Sequence, residues 1–384
     1  MEFTKEQLMI QKMAREFARK ELAELAAQRD MEQEYPASSL KKMGELGLLG
    51  MLVPEEYEGT NLGTVAYSLA LTEIAYSCAS TAVIMSVHDS IVCGSLLRFG
   101  TEEQKQKYLI PLAKGEIIGS FALSEPEAGS DPAGMTATAE EDGDFYLLNG
   151  TKRWITGGST SDLFIVLAKT DPDQGHKGIT AFLVTPDMPG FGVGRKEDKM
   201  GLKASDTTDL LLDNCKVPKD HVLGEIGQGF ILAMSGLDDG RIGIASQSLG
   251  VGMAALDLAV KYAKGRVQFG KPISKNQGLR WMIADMATEV EAARLLVLNA
   301  AQLKDNKKPC SKEAAMAKLY ASEMANKVSG QALQIHGGYG YTKEFEIERL
   351  YRDCRVFTIY EGTSQVQKIV ISNEVIGDKK RKKK

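Results

Sequence analysis

Apolar residues recur at helical spacing in the first third of the chain. Thr4 and Gln7 fit a capping box, and Ile10 and Phe17 follow on one face of the helix that it begins. Loops containing Pro and Gly separate this helix from further helical blocks of the same region. The pattern predicts an N-terminal α-helical domain, residues 1–119.

The pattern then changes to short β-branched and aromatic runs broken by Gly, Pro and Asp. Two of these runs, 145–148 and 151–156, flank Asn149 and Gly150, and we predict a hairpin with an Asn-Gly turn there. Further strands are predicted at 163–167, 179–184 and 209–212. The pattern predicts a middle β-barrel or β-sandwich domain, residues 120–229.

After Gly229 the helical period returns in four segments with short connections, which is typical of a four-helix bundle. Gly250 and Gly252 lie inside one segment and fit the G-x-G-x-x-A dinucleotide fingerprint. No strand precedes them, so we predict close helix packing instead. We assign the C-terminal four-helix bundle to residues 230–378 and a basic tail to 379–384, which makes the chain an α+β multidomain protein.

Composition narrows the class of protein. The 384 residues are 43% hydrophobic and carry a net charge of −4, so we predict a globular protein with no nucleic-acid surface. The Cys and His residues lack metal-ligand spacing, and we predict no metal site. No apolar run is judged long enough to span a bilayer, and the first residues show no signal core, so we predict a cytoplasmic protein. The basic tail is interpreted as solvated chain.

One carboxylate near the C-terminus stands between an apolar run and the start of a helix. The run 356–359 looks strand-like, Glu361 follows it, and Gly362 and Thr363 lead into the helix. Burial would raise the pKa of the carboxylate from about 4.3 toward neutrality, which suits a general base. The alternative is a surface charge that favours a helix N-terminus.

Two Gly-containing segments are candidates for ligand contact. The segment 121–131 concentrates hydroxyl groups and backbone that can donate hydrogen bonds to a ring edge or a phosphate, although a plain turn-rich connection is the alternative. The segment 334–340 allows close approach of the backbone to a ligand, or it caps a helix. Trp154 fits a core position, and Arg266 fits the end of a long helix.

The order and spacing of these segments resemble the acyl-CoA dehydrogenase family over nearly the whole chain. The stretch 122–134 is similar to the family's first signature, and 334–353 is similar to its second. The stretch 360–363 is similar to the family's active-site segment. The predicted α–β–α order also matches the family fold.

The resemblance implies a non-covalent FAD between the β domain and the bundle, in a homo-oligomer that is typically a tetramer. The implied cofactor contacts come from both regions, and some of them reach the FAD of a neighbouring subunit. The contacts at the flavin are Phe121, Leu123, Ser124, Ser130, Trp154, Ile155 and Thr156. The contacts across the subunit boundary are Arg266, Phe269, Gln277, Gln334, Gly337 and Gly338, and Thr363 and Gln365 also contact FAD. The implied contacts to an acyl-CoA substrate are Ser130, Asp238, Arg241 and Gly362. The implied electron acceptor is an electron-transfer flavoprotein.

The resemblance also implies a reaction. Glu361 would remove the α-proton of an acyl-CoA thioester while the β-hydride passes to flavin N5. The Glu361 backbone N–H and a ribityl hydroxyl of FAD would stabilise the thioester carbonyl. Some family members carry the base on the helix that here holds Gly240. Glycine cannot act as a base, which favours Glu361.

The segment 86–90 departs from the family's short-chain members, because His88 and Asp89 stand where neutral residues are usual near the acyl pocket. One interpretation is a polar cluster at a helix end. The other is a second acid/base, His88 or Asp89, acting on an unusual acyl group. Two substrate hypotheses follow, a short straight or branched acyl-CoA and an alicyclic acyl-CoA.

Three classes of function remain open from the sequence. The first is an FAD-dependent acyl-CoA dehydrogenase that passes electrons to an electron-transfer flavoprotein. The second is an oxygen-using relative or an enoyl-CoA reductase on the same scaffold. The third is a non-catalytic scaffold that binds acyl-CoA, against which the retention of Glu361 and of the FAD positions argues.

Overall fold

The structure is a computed structural model, and it describes residues 2–377. Helices come first, a β-sheet follows, and helices complete the chain, so the predicted fold class is confirmed. The predicted basic tail, 379–384, lies outside the described residues.

The N-terminal region consists of helices that often continue one another. The capping box at Thr4 and Gln7 is present, which confirms the predicted helix start. Three π-helical segments, Ala18–Leu22, Val87–Cys93 and Lys105–Leu109, join successive α-helices without a break. The α-helices of this region are α1 (Lys5–Phe17), α2 (Ala23–Glu32), α3 (Ala37–Glu45), α4 (Gly63–Ser77), α5 (Ala79–Ser86), α6 (Gly94–Phe99), α7 (Glu102–Gln104) and α8 (Ile110–Ala113).

The middle region is one eight-stranded sheet. Its strands are β1 (Gly119–Ala122), β2 (Thr138–Asp142), β3 (Phe145–Thr156), β4 (Leu163–Lys169), β5 (Ile179–Val184), β6 (Phe191–Val193), β7 (Thr207–Pro218) and β8 (Val222–Leu223). The strand order is β6-β7-β3-β2-β4-β5-β8, and β1 pairs in parallel with β4. Successive residues of β4 are buried on opposite faces: Leu163 and Ile165 join the helical core, whereas Phe164 and Val166 join a core within the sheet.

The predicted hairpin at Asn149 and Gly150 is wrong. Strand β3 runs through both residues, and its pairing with β7 shifts register there. Gly150 has a φ of +141°, and a Cβ at this position would lie 2.8 Å from the Cβ of Ala137. Glycine is therefore required here by an irregularity in the strand and by its close contact with Ala137, and not by a turn. The actual turn follows β2 at Gly143, whose φ is +58°.

The C-terminal region is a helical bundle organised around one long helix. Its elements are α9 (Gly229–Gly265), the two short strands β9 (Val267–Gln268) and β10 (Lys271–Pro272), α10 (Gln277–Asp305), α11 (Ser311–His336), α12 (Ile347–Cys354) and α13 (Ser364–Ile376). Helix α9 packs against α4, α10 and α11. A Cβ at Gly250 would lie 2.3 Å from the Thr72 carbonyl oxygen, and one at Gly252 would lie 2.6 Å from Met324 Sδ. The close helix packing predicted for these glycines is confirmed.

Helix α4 joins the two helical regions into one body. Nearly all of its residues are buried. The backbone N–H groups of Thr64 and Val65, which begin the helix, donate to the Asp305 carboxylate at 2.5 and 3.0 Å. A side chain at the end of α10 therefore supplies the N-terminal cap that the sequence of α4 lacks.

The apolar run before Glu361 is helical, and the strand-like interpretation was wrong. Arg355–Thr358 form a 3₁₀ turn that continues α12, and Phe357 is fully buried in the helical core. A four-residue apolar run is compatible with either a strand or a buried helix, so its pattern alone could not decide.

Within residues 2–377, two helical stretches are long and apolar enough to cross a membrane by length and composition, contrary to the prediction for the sequence. They are Ala79–Phe99 and Gly229–Gly265, and 89% and 78% of their most apolar windows are buried inside the protein. Core helices of soluble proteins pass the same test, so the two stretches are weak evidence for a membrane span.

Candidate active site

Glu361 lies on the turn that connects the 3₁₀ extension of α12 to α13. Thr363 caps α13 by accepting the N–H of Val366 on its hydroxyl. Glu361 and Gly362 both adopt left-handed backbone conformations, with φ of +48° and +89°. Such a conformation costs about 1–2 kcal/mol for a residue with a side chain, so the surrounding contacts must hold Glu361 in it.

Two buried side chains hold this turn. Lys318 Nζ donates to the Gly362 carbonyl oxygen at 2.7 Å. Gln367 Nε2 donates to the carbonyl oxygens of Glu361 and Gly362 at 3.2 and 2.9 Å. Both side chains are fully buried. Their hydrogen bonds fix the two carbonyl groups, and with them the direction in which the Glu361 side chain leaves the backbone.

The sequence analysis did not identify Lys318 or Gln367. For Lys318 a signal was available, because it lies four residues after Ala314 and three before Ala321 on the buried face of α11. A charged residue at an apolar position of a helix marks a site where a buried partner is required. The identity of that partner depends on contacts between distant helices, which spacing within one helix does not report.

The Glu361 carboxylate has the properties of a base. Its Oε2 is buried and has no hydrogen-bond partner among the described residues. Burial raises the pKa of Glu361 to about 7, although the positive charges of Lys318 and Arg241 oppose the rise. A base with a pKa near neutrality is deprotonated often enough to accept a proton and basic enough to hold it.

Gly240 of α9 provides the space for this carboxylate. A Cβ at Gly240 would lie 2.0 Å from Glu361 Oε2 and 3.0 Å from Ile91 Cδ1. The residue that the family resemblance identified as the alternative base position is therefore directly beside Glu361. Any side chain at that position would displace the carboxylate.

One turn further along α9, two hydroxyl groups close the space. A Cβ at Gly243 would lie 2.2 Å from Ser86 Oγ and 3.0 Å from the hydroxyl oxygen of Tyr67. Burial, together with the nearby charges of Asp89 and Glu361, raises the pKa of Tyr67 well above its usual value. Because one helical turn advances about 5.4 Å, the space beside Glu361 is short in this direction.

His88 and Asp89 are engaged with the backbone. The His88 ring contacts the Leu112 carbonyl oxygen through Nε2 at 3.0 Å and accepts the Gly119 N–H on Nδ1 at 3.1 Å. Burial lowers the pKa of His88 to about 4, so the ring is neutral and Nε2 carries the proton. The Asp89 carboxylate accepts the N–H groups of Met51 and Leu52 at 3.1 and 3.4 Å.

Burial raises the pKa of Asp89 to about 7, but both of its oxygens hold the loop that follows α3. His88 and Asp89 also lie within a continuous helical stretch rather than at a helix end. The structure therefore favours a structural role for both residues, and we assign neither of them to proton transfer.

The residues implied for FAD differ widely in exposure. Leu123 and Ile155 are buried; Phe121, Ser124, Thr156, Arg266 and Thr363 are half-buried; and Ser130, Trp154, Phe269, Gln277, Gln334, Gly337, Gly338 and Gln365 are exposed. Within the single chain, the Arg266 guanidinium lies 5.2 Å from the centre of the Tyr339 ring, which follows Gly337 and Gly338. The Arg266 end of α9 and the Gly-rich segment after α11 are thereby brought together.

The loop after β1, which carries several of these residues, is fixed by a buried ion pair. Lys152 Nζ donates to Glu125 at 2.8 Å and to the Leu123 carbonyl oxygen at 3.3 Å. The Glu125 carboxylate also accepts the N–H groups of Thr136 and Ala137 at 2.6 and 3.0 Å and the Thr136 hydroxyl at 2.9 Å. The ion pair thus sets the backbone path on both sides of Ser130 before any ligand binds.

The described surface offers exposed aromatic side chains and open backbone, which fit a flat aromatic cofactor. Trp154 and Phe269 are 57% and 97% exposed, which is unusual for such large apolar side chains. A Cβ at Gly337 or Gly338 would meet nothing within 4 Å, so the backbone there is open to close approach. Thr363 and Gln365 line a cavity of about 280 Å³ between α11 and α13.

Of the residues implied for acyl-CoA, Asp238 and Arg241 form an ion pair on α9. Asp238 also accepts a hydrogen bond from the Ser311 hydroxyl, and Arg241 is buried. Gly362 is on the Glu361 turn, and Ser130 is exposed on the loop after β1. Within residues 2–377, no group of three His, Cys, Asp or Glu side chains could hold a metal ion, and the five cysteines are free and buried.

Similarity to solved structures covers nearly the whole chain. Butyryl-CoA dehydrogenase from Megasphaera elsdenii matches with a TM-score of 0.96 and 42% identity, covering 98% of this chain and 99% of that one. Glutaryl-CoA dehydrogenase from Mycobacterium smegmatis, solved in complex with FADH2, matches with a TM-score of 0.93 and 32% identity, covering 98% and 95%.

Sequence comparison agrees. The mitochondrial short-chain specific acyl-CoA dehydrogenase of Rattus norvegicus is 53% identical over 96% of this chain and 89% of its own length. A subunit of the caffeyl-CoA reductase-Etf complex of Acetobacterium woodii is 49% identical over 98% of this chain and 100% of its own length. Family models of the acyl-CoA dehydrogenase N-terminal, middle and C-terminal domains match residues 4–116, 120–215 and 227–376. The chain therefore belongs to the acyl-CoA dehydrogenase family.

Proposed function

We propose that this enzyme forms or reduces the Cα–Cβ double bond of a short-chain acyl-CoA, with Glu361 as the group that exchanges the α-proton. The observation that carries the proposal is the Glu361 carboxylate itself. One of its oxygens is buried without a hydrogen-bond partner among the described residues, and burial raises its pKa to about 7. An unpartnered buried carboxylate costs stability, and proton transfer is the function that uses it.

FAD is the cofactor, because members of the acyl-CoA dehydrogenase family depend on it. The residues that would hold it are the loop fixed by Lys152 and Glu125, Trp154 on β3, and the backbone at Thr363. When bound, FAD supplies the acceptor for the hydride that leaves Cβ.

The chain's own residues would then act on the thioester end of the substrate. The Asp238–Arg241 pair on α9 would orient the CoA portion, and the N–H of Glu361 would stabilise the negative charge that develops on the thioester carbonyl oxygen. The Glu361 carboxylate would take the α-proton while the Gly240 surface keeps the space next to it free. Exclusion of water from this space keeps the carboxylate basic.

Two observations support a short acyl chain. The hydroxyl groups of Tyr67 and Ser86 cover Gly243, one helical turn beyond the Gly240 surface that contacts Glu361. Relatives named short-chain specific and butyryl-CoA dehydrogenases cover nearly all of the chain. The alicyclic alternative required His88 or Asp89 as a second acid/base, and both are engaged with backbone groups.

The direction of the reaction has two candidates. Oxidation is favoured by the relatives named dehydrogenases, and reduction by the relatives named caffeyl-CoA reductase and acryloyl-CoA reductase at 49% and 47% identity. We propose oxidation as the main function, with an electron-transfer flavoprotein as the partner, because the similarity to the mitochondrial short-chain enzyme is at least as strong. A homotetramer and a cytoplasmic location are further predictions from the family resemblance.

Mixing the yellow enzyme with butyryl-CoA in the absence of air tests the proposal. We expect the flavin to be bleached by the wild type, and the bleaching rate of Glu361→Gln to fall at least about 10³-fold because the amide cannot accept the proton. The variant should keep its FAD and bind butyryl-CoA as tightly as the wild type. Rapid bleaching by Glu361→Gln would place the base elsewhere and overturn the assignment.

The same assay distinguishes substrates and direction. A panel of butyryl-, octanoyl- and cyclohexanecarboxyl-CoA should show the fastest bleaching with the butyryl thioester. Reoxidation of the reduced enzyme by crotonyl-CoA reports the reverse reaction. A preference for the cyclic thioester would reject the short-chain proposal while leaving the role of Glu361 intact.

A further inference from the structure

Lys318 is a buried cation that the reaction described above does not use. It lies on α11, its side chain is fully buried, and its ammonium group donates to the carbonyl oxygen of Gly362, the residue after Glu361. Burying an ammonium group costs several kcal/mol unless charges or hydrogen bonds offset the loss of water. A hydrogen bond to one carbonyl oxygen offsets only part of this cost. A second favourable interaction of the ammonium group is therefore expected.

That interaction is with the Glu361 carboxylate. Of the charges that act on Glu361, the positive charge of Lys318 opposes protonation most strongly, and Arg241 of α9 contributes in the same direction. Tyr67 of α4 and the neighbouring Tyr360 also interact electrostatically with Glu361, and the Tyr360 hydroxyl donates to Gln247. Burial lowers the pKa of Lys318 to about 8, against the attraction of Glu361, and the charges of Arg241 and of Glu323 on its own helix also act on it, so Lys318 is charged at pH 7.

Without a nearby cation, burial would make Glu361 neutral at physiological pH. An opposite charge within about 4–6 Å typically lowers the pKa of a carboxyl by one to three units. A protonated Glu361 cannot accept an α-proton. Without the positive charge of Lys318, most of the substrate-free enzyme would therefore be inactive because Glu361 is protonated.

We propose that Lys318 is a positioning residue for proton transfer: through the Gly362 carbonyl it holds the Glu361–Gly362 turn, and its charge keeps the buried Glu361 carboxylate ionised before substrate binds. The inference rests on the proposed function of Glu361 and adds the group that makes this function available at neutral pH. Lys318 does not contact the reacting atoms and acts through Glu361.

Gln367 provides a matched control, because it holds the same turn without a charge. Its amide donates to the carbonyl oxygens of Glu361 and Gly362, at 3.2 and 2.9 Å, and it is as deeply buried as Lys318. A purely structural role of Lys318 predicts that both positions respond alike to substitution. A role of its charge predicts that only Lys318 changes the pH dependence.

The experiment measures the rate of flavin bleaching by butyryl-CoA without air across pH 5.5–9.5. In the wild type the rate should rise as Glu361 loses its proton, near its pKa of about 7. Lys318→Met and Lys318→Gln should move this rise to higher pH by about one to three units, which lowers the rate at pH 7 about fivefold or more. Lys318→Arg, which keeps the charge, should stay near the wild type, and Gln367→Leu should lower the rate at every pH without moving the rise.

Infrared titration of the Glu361 carboxyl group gives a readout that needs no turnover. The band of the protonated acid, identified by its absence in Glu361→Gln, should persist to higher pH in Lys318→Gln than in the wild type. A titration that is unchanged in Lys318→Gln, or one that moves equally in Lys318→Arg, would reject the proposal. Rapid bleaching by Glu361→Gln would instead reject the role of Glu361, so the two failures are distinguishable.

Discussion

Glu361 combines two features that each cost stability, a left-handed backbone and a buried carboxylate, one oxygen of which has no hydrogen-bond partner within residues 2–377. The Gly240 surface allows the carboxylate to occupy this position, and Lys318 and Gln367 prevent the turn from relaxing. The site is therefore built from contacts of three helices onto one turn. Single-residue changes there separate the requirements of catalysis from those of stability.

The pH dependence of unfolding provides one such test. Burial raises the pKa of Glu361 from 4.5 to about 7, so the folded protein binds a proton more tightly than the unfolded chain does. The ionised carboxylate thus destabilises the fold above pH 7, and this cost disappears as the pH falls toward 4.5. We expect Glu361→Gln to be more stable than the wild type by roughly 3 kcal/mol at pH 8, at about 1.4 kcal/mol for each unit of the pKa difference.

Thermal or denaturant unfolding of the substrate-free holoenzyme checks this prediction. The advantage of Glu361→Gln should shrink when the same comparison is made at pH 5.5. An equal difference at both pH values would show that the carboxylate is not the source of the effect.

At the level of elements, a buried pair of charges attaches the loop after β1 to the sheet. Lys152 on β3 and Glu125 in the loop after β1 are 0% and 3% exposed in their side chains. Breaking a buried pair by removing one partner typically costs about 3–5 kcal/mol, because the remaining charge stays buried. We expect Lys152→Met to destabilise the protein by about this amount and to weaken FAD retention.

A second Lys–Glu pair of the same region serves as the control. Lys219 and Glu141 lie on the surface, with 41% and 62% of their side chains exposed. Lys219→Met should leave unfolding and FAD content unchanged, since water replaces the lost partner. Calorimetry and the flavin absorbance of the purified variants provide both measurements, and equal losses at the two lysines would contradict the assignment.

The accuracy of sequence reasoning also differed between elements. Long helices such as α9 were predicted because an apolar face repeats over many turns, and the capping box at Thr4 marked a helix start. The hairpin turn predicted at Asn149-Gly150 was wrong because the same dipeptide is compatible with a turn and with a bulge. The close contact with Ala137, which is distant in the sequence, distinguishes the two. Glu361 was predicted as a base from its place between an apolar run and a helix start, whereas Lys318 was missed because its partner, Gly362, lies on a turn distant in the sequence.

At the level of the whole molecule, two large aromatic side chains of the described residues are almost fully exposed. Phe269 beyond the end of α9 and Tyr341 after the Gly-rich segment are 97% and 87% exposed. Large apolar side chains with such exposure mark interaction surfaces. We predict that the surface around these two side chains contacts another copy of the chain in the proposed homotetramer.

Phe269→Arg should therefore weaken assembly, because a charge would have to be buried in the interface. Analytical ultracentrifugation should show smaller species than the wild type, with loss of FAD on dilution. Leu8→Arg on α1, where an apolar side chain is 49% exposed, should keep the wild-type assembly. An unchanged sedimentation profile of Phe269→Arg would exclude this surface from the tetramer contact.

The division of the interior into a shared helical core and a separate sheet core has a consequence for biosynthesis. The ribosome makes α4 long before α9, against which it packs, and before Asp305, which caps it. The strands from β1 to β8, by contrast, are complete once residue 223 has emerged. The sheet is therefore expected to form first, while the N-terminal helices keep their apolar faces exposed until about half of the bundle has been synthesised. This interval is when the nascent chain most needs chaperone protection.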